Sequence, residues 1–282
     1  MNLEQLTYYP LTGGRGIDVD ERALGVSGLV TDRKYVVYDP ETYERVSCKP
    51  NQAPDLLRIQ PSTGDLRSIL TFYDESGVQP VDRLDLSAYG RSNFGRNTIS
   101  VLEFEQPTPC ADMGDEPAHV LSDFLHKNVR LAEKAAVWTQ NYAGAVSPFD
   151  RKNAPLHIVN LASCVAIAED MGLDGAEVIR RFRPNIVISG AEAFSEGNWQ
   201  GLVINGLTIA IPRVTLRCPV PGLDSRTGKN MKDIPKAYQG LDKALNDKGR
   251  PTAIFGVYGV PVPETLISDW DKLAVGQEVT LS

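Results

Sequence analysis

No other pair of residues limits the fold as tightly as Asn205-Gly206, set between the apolar runs Gly201 to Ile204 and Leu207 to Ile211. A type I′ two-residue hairpin turn needs positive φ at both central residues, and Asn-Gly adopts it most readily, so the two runs are expected to pair as antiparallel strands. The second run leads into Arg217-Cys218-Pro219-Val220-Pro221. Each proline fixes φ and removes a backbone donor, so the chain is expected to turn at the cysteine and hold a sulfur at the mouth of a sheet. Arg217 is a permanent cation that favours the neighbouring thiolate, the form that acts as nucleophile or soft-metal ligand. The competing expectation is that Cys218 is a small buried apolar residue, as most free cysteines are.

The rest of the chain is punctuated in the same way. Residues 3 to 9 read as a short strand ended by Pro10, Gly28 to Asp39 and Glu44 to Cys48 as two strands joined at Pro40-Glu41, and Asn97 to Phe104 as another. Between Asp55 and Leu86 short β-type runs alternate with Ser, Gly and Asp turns, the spacing of a small antiparallel barrel or sandwich. Leu156 to Val159 reads as a buried strand, and Thr252 to Val260 and Glu278 to Leu281 as closing strands with Gly276 in the turn between. Helices are expected from Gly114, where acids and a proline open a segment with Val120, Leu121, Phe124 and Leu125 on one face; over Ser163 to Met171, stopped by Gly172; over Gly175 to Arg181; and over Ile234 to Asn246. His119 and His126 on the first helix are expected at the surface.

Composition excludes several classes. A net charge of -7 argues against a general nucleic-acid or anionic-membrane binder, though not against a local basic pocket. Cys48, Cys110, Cys164 and Cys218 are widely spaced, with no zinc or disulfide pattern, which implies a reducing compartment. The first residues, MNLEQLTYYP, lack a basic region followed by an apolar run, and no window approaches the length of a membrane span, so the expectation is a cytoplasmic protein.

Anion-binding chemistry has three candidate sources. Thr12-Gly13-Gly14-Arg15-Gly16 is a Gly-rich loop whose amides can approach a ligand, or a plain hairpin-type turn. Arg33 sits among Tyr35, Val36, Val37 and Tyr38, where it needs a partner or a place on an edge strand. In Phe182-Arg183-Pro184-Asn185, a planar donor fork and an amide flank a proline at the entry to an apolar strand, a pairing suited to a phosphate or to a structural turn. The long polar stretch 139 to 155 carries Arg151 and Lys152.

Taken together, FRPNIVISG, LRCPVPGLDSRTG, FGVYG and the closing Val275-Gly276 turn resemble the MOSC domain, named for the C-terminal domain of molybdenum cofactor sulfurases, and YPLTGGRG, TDRKYVVYD and the GDEP helix resemble the β-barrel domain that precedes it. The match spans nearly the whole chain in family order. It implies a β-rich α+β fold: an N-terminal β-barrel over 1–110 packed on a MOSC β-barrel domain over 111–282, with a connecting helix at 115–127. It further implies a pyridoxal-phosphate-free oxidoreductase, similar to the amidoxime-reducing proteins, that binds a molybdopterin-type molybdenum cofactor and reduces N-hydroxylated or N-/S-oxide-type small molecules. On this resemblance Cys218 is the metal ligand. Arg33, Arg183 and Asn185 would hold the cofactor, aided by Arg15, Thr12, Asn153, Thr215 and Arg217, and Glu192 would be a proton-relay acid. Where relatives carry a lysine, a Thr-Ser pair and a serine, this chain has Thr12, Asn153-Ala154 and Leu216.

With no flavin or nicotinamide fingerprint and no cluster cysteines, electrons would come from an external haem or iron-sulfur protein. Two rival readings keep the same cysteine: a molybdenum-independent sulfur-handling enzyme that carries a Cys218 persulfide, and a non-catalytic carrier of the cofactor.

Overall fold

The computed structural model describes residues 1–63, 68–89, 97–103, 106–134, 154–231, 241–245, 249–266 and 271–282. The Asn205-Gly206 turn forms as expected, with φ of +49° and +79°, and Gly201–Ile204 pairs in register with Leu207–Leu216 across it. The second strand outruns its sequence signal. It continues through Pro212, where the register against Pro251–Pro261 shifts between Ala210 and Arg213, so the residue without an N–H falls at an irregularity of the ladder.

That hairpin is one side of a nine-stranded sheet among the described residues. Leu156–Asn160 lies in its middle, antiparallel to Pro251–Pro261 and parallel to Ile186–Ser189. The parallel pair is joined by two helices, α2 (Leu161–Met171) and α3 (Gly175–Phe182). Asn160 and Asp174 accept from Ala162 N and Ala176 N to cap their starts, and Gly172, at φ +61°, ends α2. Cys164, Ile167, Val178 and Phe182 press their apolar faces onto Val159, Val187 and Phe255. Burying one such side chain is worth about 1.5–3 kcal/mol.

The N-terminal half has a smaller sheet: Tyr35–Tyr38, Arg130–Lys134, Gln106–Asp112 and Thr98–Glu103. Bridges from Arg45 to Tyr38 and from Glu44 to Leu102 close it on itself, which leaves no long free edge. It runs through the 110/111 boundary, since Gln106–Asp112 pairs on both sides. Helix α1 (Asp115–Leu125) packs Leu121 and Leu125 into the core beside it, with Val120 and Phe124 against the rim, and leaves His119 and His126 exposed. The runs between Asp55 and Leu86 become a three-stranded sheet, Ile59–Thr63, Ser68–Tyr73 and Pro80–Asp85.

The halves interlock. The first strand, Asn2–Tyr8, pairs with Ile186–Ser189, and its Leu3, Leu6 and Tyr8 belong to the core of the large sheet. In return Leu223, five residues after Cys218, is 1% exposed in the core of the N-terminal half. The turn that follows the cysteine therefore packs into the N-terminal core.

Three expectations fail. Gly28–Asp39 is not one strand: Gly28–Leu29 and Tyr35–Tyr38 are separated by a turn with Thr31 and Arg33 in left-handed conformations. Buried Asp32 forces the break, because its carboxylate must meet the Tyr9 amide and Arg33. Glu44–Cys48 forms only the two closing bridges. The helix expected over 234–246 lies partly outside the described residues, but Lys243–Leu245 is a strand that pairs with Pro251–Ala253, so tertiary pairing overrides local propensity there. Among the described residues no helix is long and apolar enough to cross a membrane.

Candidate functional site

Strand Leu207–Leu216 ends where Arg217 N donates to Ala253 O at 2.9 Å, its last ladder bond. Cys218 then leaves the sheet, and Pro219 and Pro221 turn the chain through a short 3-10 segment, Val220–Gly222. Of the four thiols Cys218 alone is exposed. Burial raises the other three, Cys110 and Cys164 to about 12, so they stay protonated and inert.

Arg217 turns inward from the sulfur, contrary to the expectation that it stands beside it as a cation. Its Nη1 meets His157 Nε2 at 3.0 Å and donates to Phe255 O at 3.3 Å, its Nη2 donates to Phe182 O at 3.2 Å, and its guanidinium lies 5.0 Å from the Phe182 ring centre. A guanidinium has only donors, so Nε2 of His157 must accept, which makes the imidazole neutral. Burial, and then Arg217, hold the His157 pKa well below 6.5, while a hydrogen bond to the Arg183 main chain acts the other way. The space for this contact depends on Gly256: with φ at +73°, a Cβ there would stand 2.7 Å from Ile158 O and 2.8 Å from His157 Nε2.

A second group of residues lies where the first strand, the Gly-rich loop and the start of Ile186–Ser189 meet. Arg183 ends helix α3 at φ +57°, a capping position where glycine is usual, and Arg33 is at φ +49°. Such conformations cost a non-glycine residue on the order of 1–3 kcal/mol and are kept where the surroundings over-determine them. Here the determinant is Tyr9. The Arg183 and Arg33 guanidinium carbons lie 4.3 and 5.4 Å from its ring centre, and its hydroxyl donates to Pro184 O at 3.1 Å. Burial raises the Tyr9 phenol, although both arginines pull it down. Asp32, 4% exposed, accepts the Tyr9 amide at 2.6 Å and pairs with Arg33. Arg183 Nη2 donates to Gly14 O at 2.5 Å. Asn185 Oδ1 accepts from His157 N at 3.1 Å and from Arg33 at 3.3 Å, and its Nδ2 donates to Thr7 O at 3.2 Å. Asn185 and His157 thus join the two groups.

The chain matches the family model of the MOSC domain over residues 150–280 and that of the MOSC N-terminal beta barrel domain over residues 1–128. It is 30% identical over 273 residues to mitochondrial amidoxime reducing component 2 of Rattus norvegicus, a match covering 89% of this chain and 76% of that protein. The chain belongs to the MOSC family. It is strand-rich, an N-terminal β-barrel domain followed by a MOSC domain. It is also 26% identical over 275 residues to the molybdenum cofactor sulfurase of Danio rerio, covering 91% of this chain and 31% of that protein, so it spans about a third of the length of that relative. Among solved structures the YUAD protein from Bacillus subtilis aligns over 99% of this chain with a TM-score of 0.41 and 9% identity.

In this MOSC protein the residues singled out from sequence fall into three sets. Arg33, Arg183, Asn185 and Arg217 are linked as described, and Thr12 and Thr215 are buried on the loop and strand that carry them. Arg15 leaves the group: its Nε donates to Leu57 O, and its Nη2 to Gly77 O and Arg226 O, each at 2.9 Å, with Tyr73 under the guanidinium. Glu192 is exposed at the far end of strand Ile186–Ser189 from Arg183 and Asn185, its carbonyl held by Asn160 Nδ2 at 2.5 Å. The acid this loop buries is Glu196, 2% exposed, which accepts from Ser163 Oγ at 2.7 Å. Asn153, with Arg151 and Lys152, lies outside the described residues. Sequence reasoning missed Tyr9, Asp32 and His157. A lone histidine inside the apolar run Leu156 to Val159 was the available signal, since a buried imidazole needs a partner.

Proposed function

We propose that this chain is a molybdenum-cofactor-dependent oxidoreductase of the cytoplasm that reduces N-hydroxylated or N-/S-oxide-type small molecules, with electrons from an external haem or iron-sulfur protein. The observation that carries this reading is the exposure of Cys218, alone among four cysteines, at the family's ligand position. Other features fit a phosphorylated pterin. Thr12 Oγ1, Thr215 Oγ1 and Arg217 Nε are buried without hydrogen-bond partners, a cost that bound polar groups would offset. Arg33 and Arg183 set two guanidinium groups against the one carboxylate of Asp32, which leaves charge for an anion. Among the described residues no cluster of three His, Cys, Asp or Glu is able to hold a metal, so a metal on Cys218 would take its other donors from an organic cofactor.

The bound group would supply a metal centre that accepts an oxygen atom from substrate and exchanges two electrons. The chain would supply the rest. Cys218 binds as thiolate, Arg33 and Arg183 hold the phosphate, Thr12 and Thr215 offer hydroxyls, and neutral His157 keeps Arg217 turned away from the sulfur, so the thiolate is left free for the metal.

Metal analysis of protein purified from a host that makes the cofactor tests the proposal. Stoichiometric molybdenum with reductase activity, both lost in a folded Cys218→Ala variant, is the expected result, and a metal-bearing, active Cys218→Ala protein refutes it. A labile sulfur on Cys218 without molybdenum would mark the sulfur-handling reading instead, and substoichiometric metal without activity the carrier.

A further inference from the structure

We propose that Glu177, on helix α3, is a positioning residue that sets the Cys218 turn against the rest of the site; this rests on Cys218 being the metal-binding residue. The segment after the cysteine is bolted down at several points, and most bonds on its α3 side converge on this carboxylate. Ser225 Oγ donates to Glu177 Oε2 at 2.8 Å and Ser225 N to Oε1 at 3.3 Å. Arg181 Nε, 2% exposed, donates to the same Oε1 at 2.7 Å, and its Nη2 lies 3.8 Å from Asp224 Oδ2. Asp224 in turn gathers Arg226 N, Thr227 N and the Thr227 hydroxyl on its other oxygen.

The far side of the segment faces the N-terminal half. Arg15 grips Arg226 O, Leu223 enters the core, and Gly228, at φ +70°, lies so close to Pro54 that a Cβ there would be 2.5 Å from the Pro54 carbonyl oxygen. Residues 219–228 are thus held between two bodies, and on the α3 side Glu177 makes the two hydrogen bonds to Ser225 while Arg181 adds a longer ion pair to Asp224. Helix α3 also ends in Phe182 and Arg183, so one rigid element carries the clamp, the carbonyl that accepts from Arg217 and an arginine of the site. Shifting the clamp moves the sulfur relative to the arginines. Burial would raise the Glu177 carboxyl, but Arg181 and Ser225 outweigh it and hold the group below the usual carboxylate range, ionised at neutral pH.

The test uses full-length chain with Glu177→Ala, Ser225→Ala and the double substitution. Amide exchange across 219–228 and the rate at which iodoacetamide modifies Cys218 in metal-free protein are measured beside molybdenum content after loading. Glu177→Ala is expected to speed exchange in 219–228 by about tenfold, the scale of one charge-assisted hydrogen bond, and not in the strands of the large sheet. It is also expected to quicken Cys218 modification and lower molybdenum loading, with Ser225→Ala adding nothing further. Unchanged exchange in 219–228, or an equal rise throughout the molecule, overturns the proposal. If Glu177→Ala does not fold, Ser225→Ala alone, which removes only the hydroxyl end of the link, decides by the same exchange readout. If wild-type protein never takes up molybdenum while 219–228 loosens as expected, the metal reading fails and the clamp stands.

Discussion

Two of the regions that bury cations among the described residues neutralise them differently. In the small closed sheet each cation meets carboxylate. Lys134, 1% exposed, is 2.6 Å from Glu103, Arg130 grips both oxygens of Asp112 at 2.7 Å, and Lys34 is 3.0 Å from Glu133. Around the first strand, the Gly-rich loop and strand Leu207–Leu216, three arginines gather, and Arg33 is the one that pairs with a carboxylate, Asp32, among the described residues. Arg183 and Arg217 are matched by carbonyls, aromatic faces and a neutral imidazole. A carbonyl satisfies a donor without cancelling its charge, so Arg183 and Arg217 keep a charge that Lys34, Arg130 and Lys134 of the small closed sheet have matched by carboxylates. The first arrangement suits a core and the second an anion.

Breaking the barrel pair should have the largest effect on stability. Lys134→Met leaves buried Glu103 with the longer ion pair to Arg45 at 3.9 Å and is expected to cost about 3 kcal/mol in a denaturant melt, whereas Lys134→Met with Glu103→Leu should recover most of it, and neither should change cofactor affinity in protein that remains folded. The cationic site should respond the other way. Arg183→Gly relieves a left-handed arginine while losing the stack on Tyr9, so stability should shift by no more than about 1 kcal/mol, yet if Arg183 holds the phosphate as proposed, cofactor loading should fall at least about tenfold.

The smallest effect is on pH dependence. His157 is neutral in the fold and has its pKa depressed, so the unfolded chain binds more protons, and stability present above about pH 6.5 is lost as pH falls. Its slope is at most about 1.4 kcal/mol per pH unit, and His157→Gln should flatten melts recorded between about pH 7 and 5. An unchanged slope would mean that Arg217 keeps its place without the imidazole.

Much of the site was legible in the chain because its signals are local. The Arg-Cys-Pro turn follows from two prolines, and the entry to Ile186–Ser189 follows from Arg183-Pro184-Asn185. Tyr9, Asp32 and His157 gave weaker signals because each acts through partners far away in sequence. Tyr9 is useful only once Arg183 lies over it, and Asp32 only once the Tyr9 amide needs an acceptor. Arg15 stands apart from Arg33 and Arg183 for the same reason: its partners, the carbonyls of Leu57, Gly77 and Arg226, are distant in sequence.

By itself the sequence determined the hairpin at Asn205-Gly206, the helix stop at Gly172 and the exit of the chain from the sheet at Cys218, because backbone dihedrals and missing donors act within a few residues. Only the tertiary structure decided that Gly28–Asp39 breaks at Asp32, that Lys243–Leu245 is a strand, and that Arg217 turns inward to His157. These outcomes depend on buried polar groups finding partners, and the partners are brought close only when the two halves interlock.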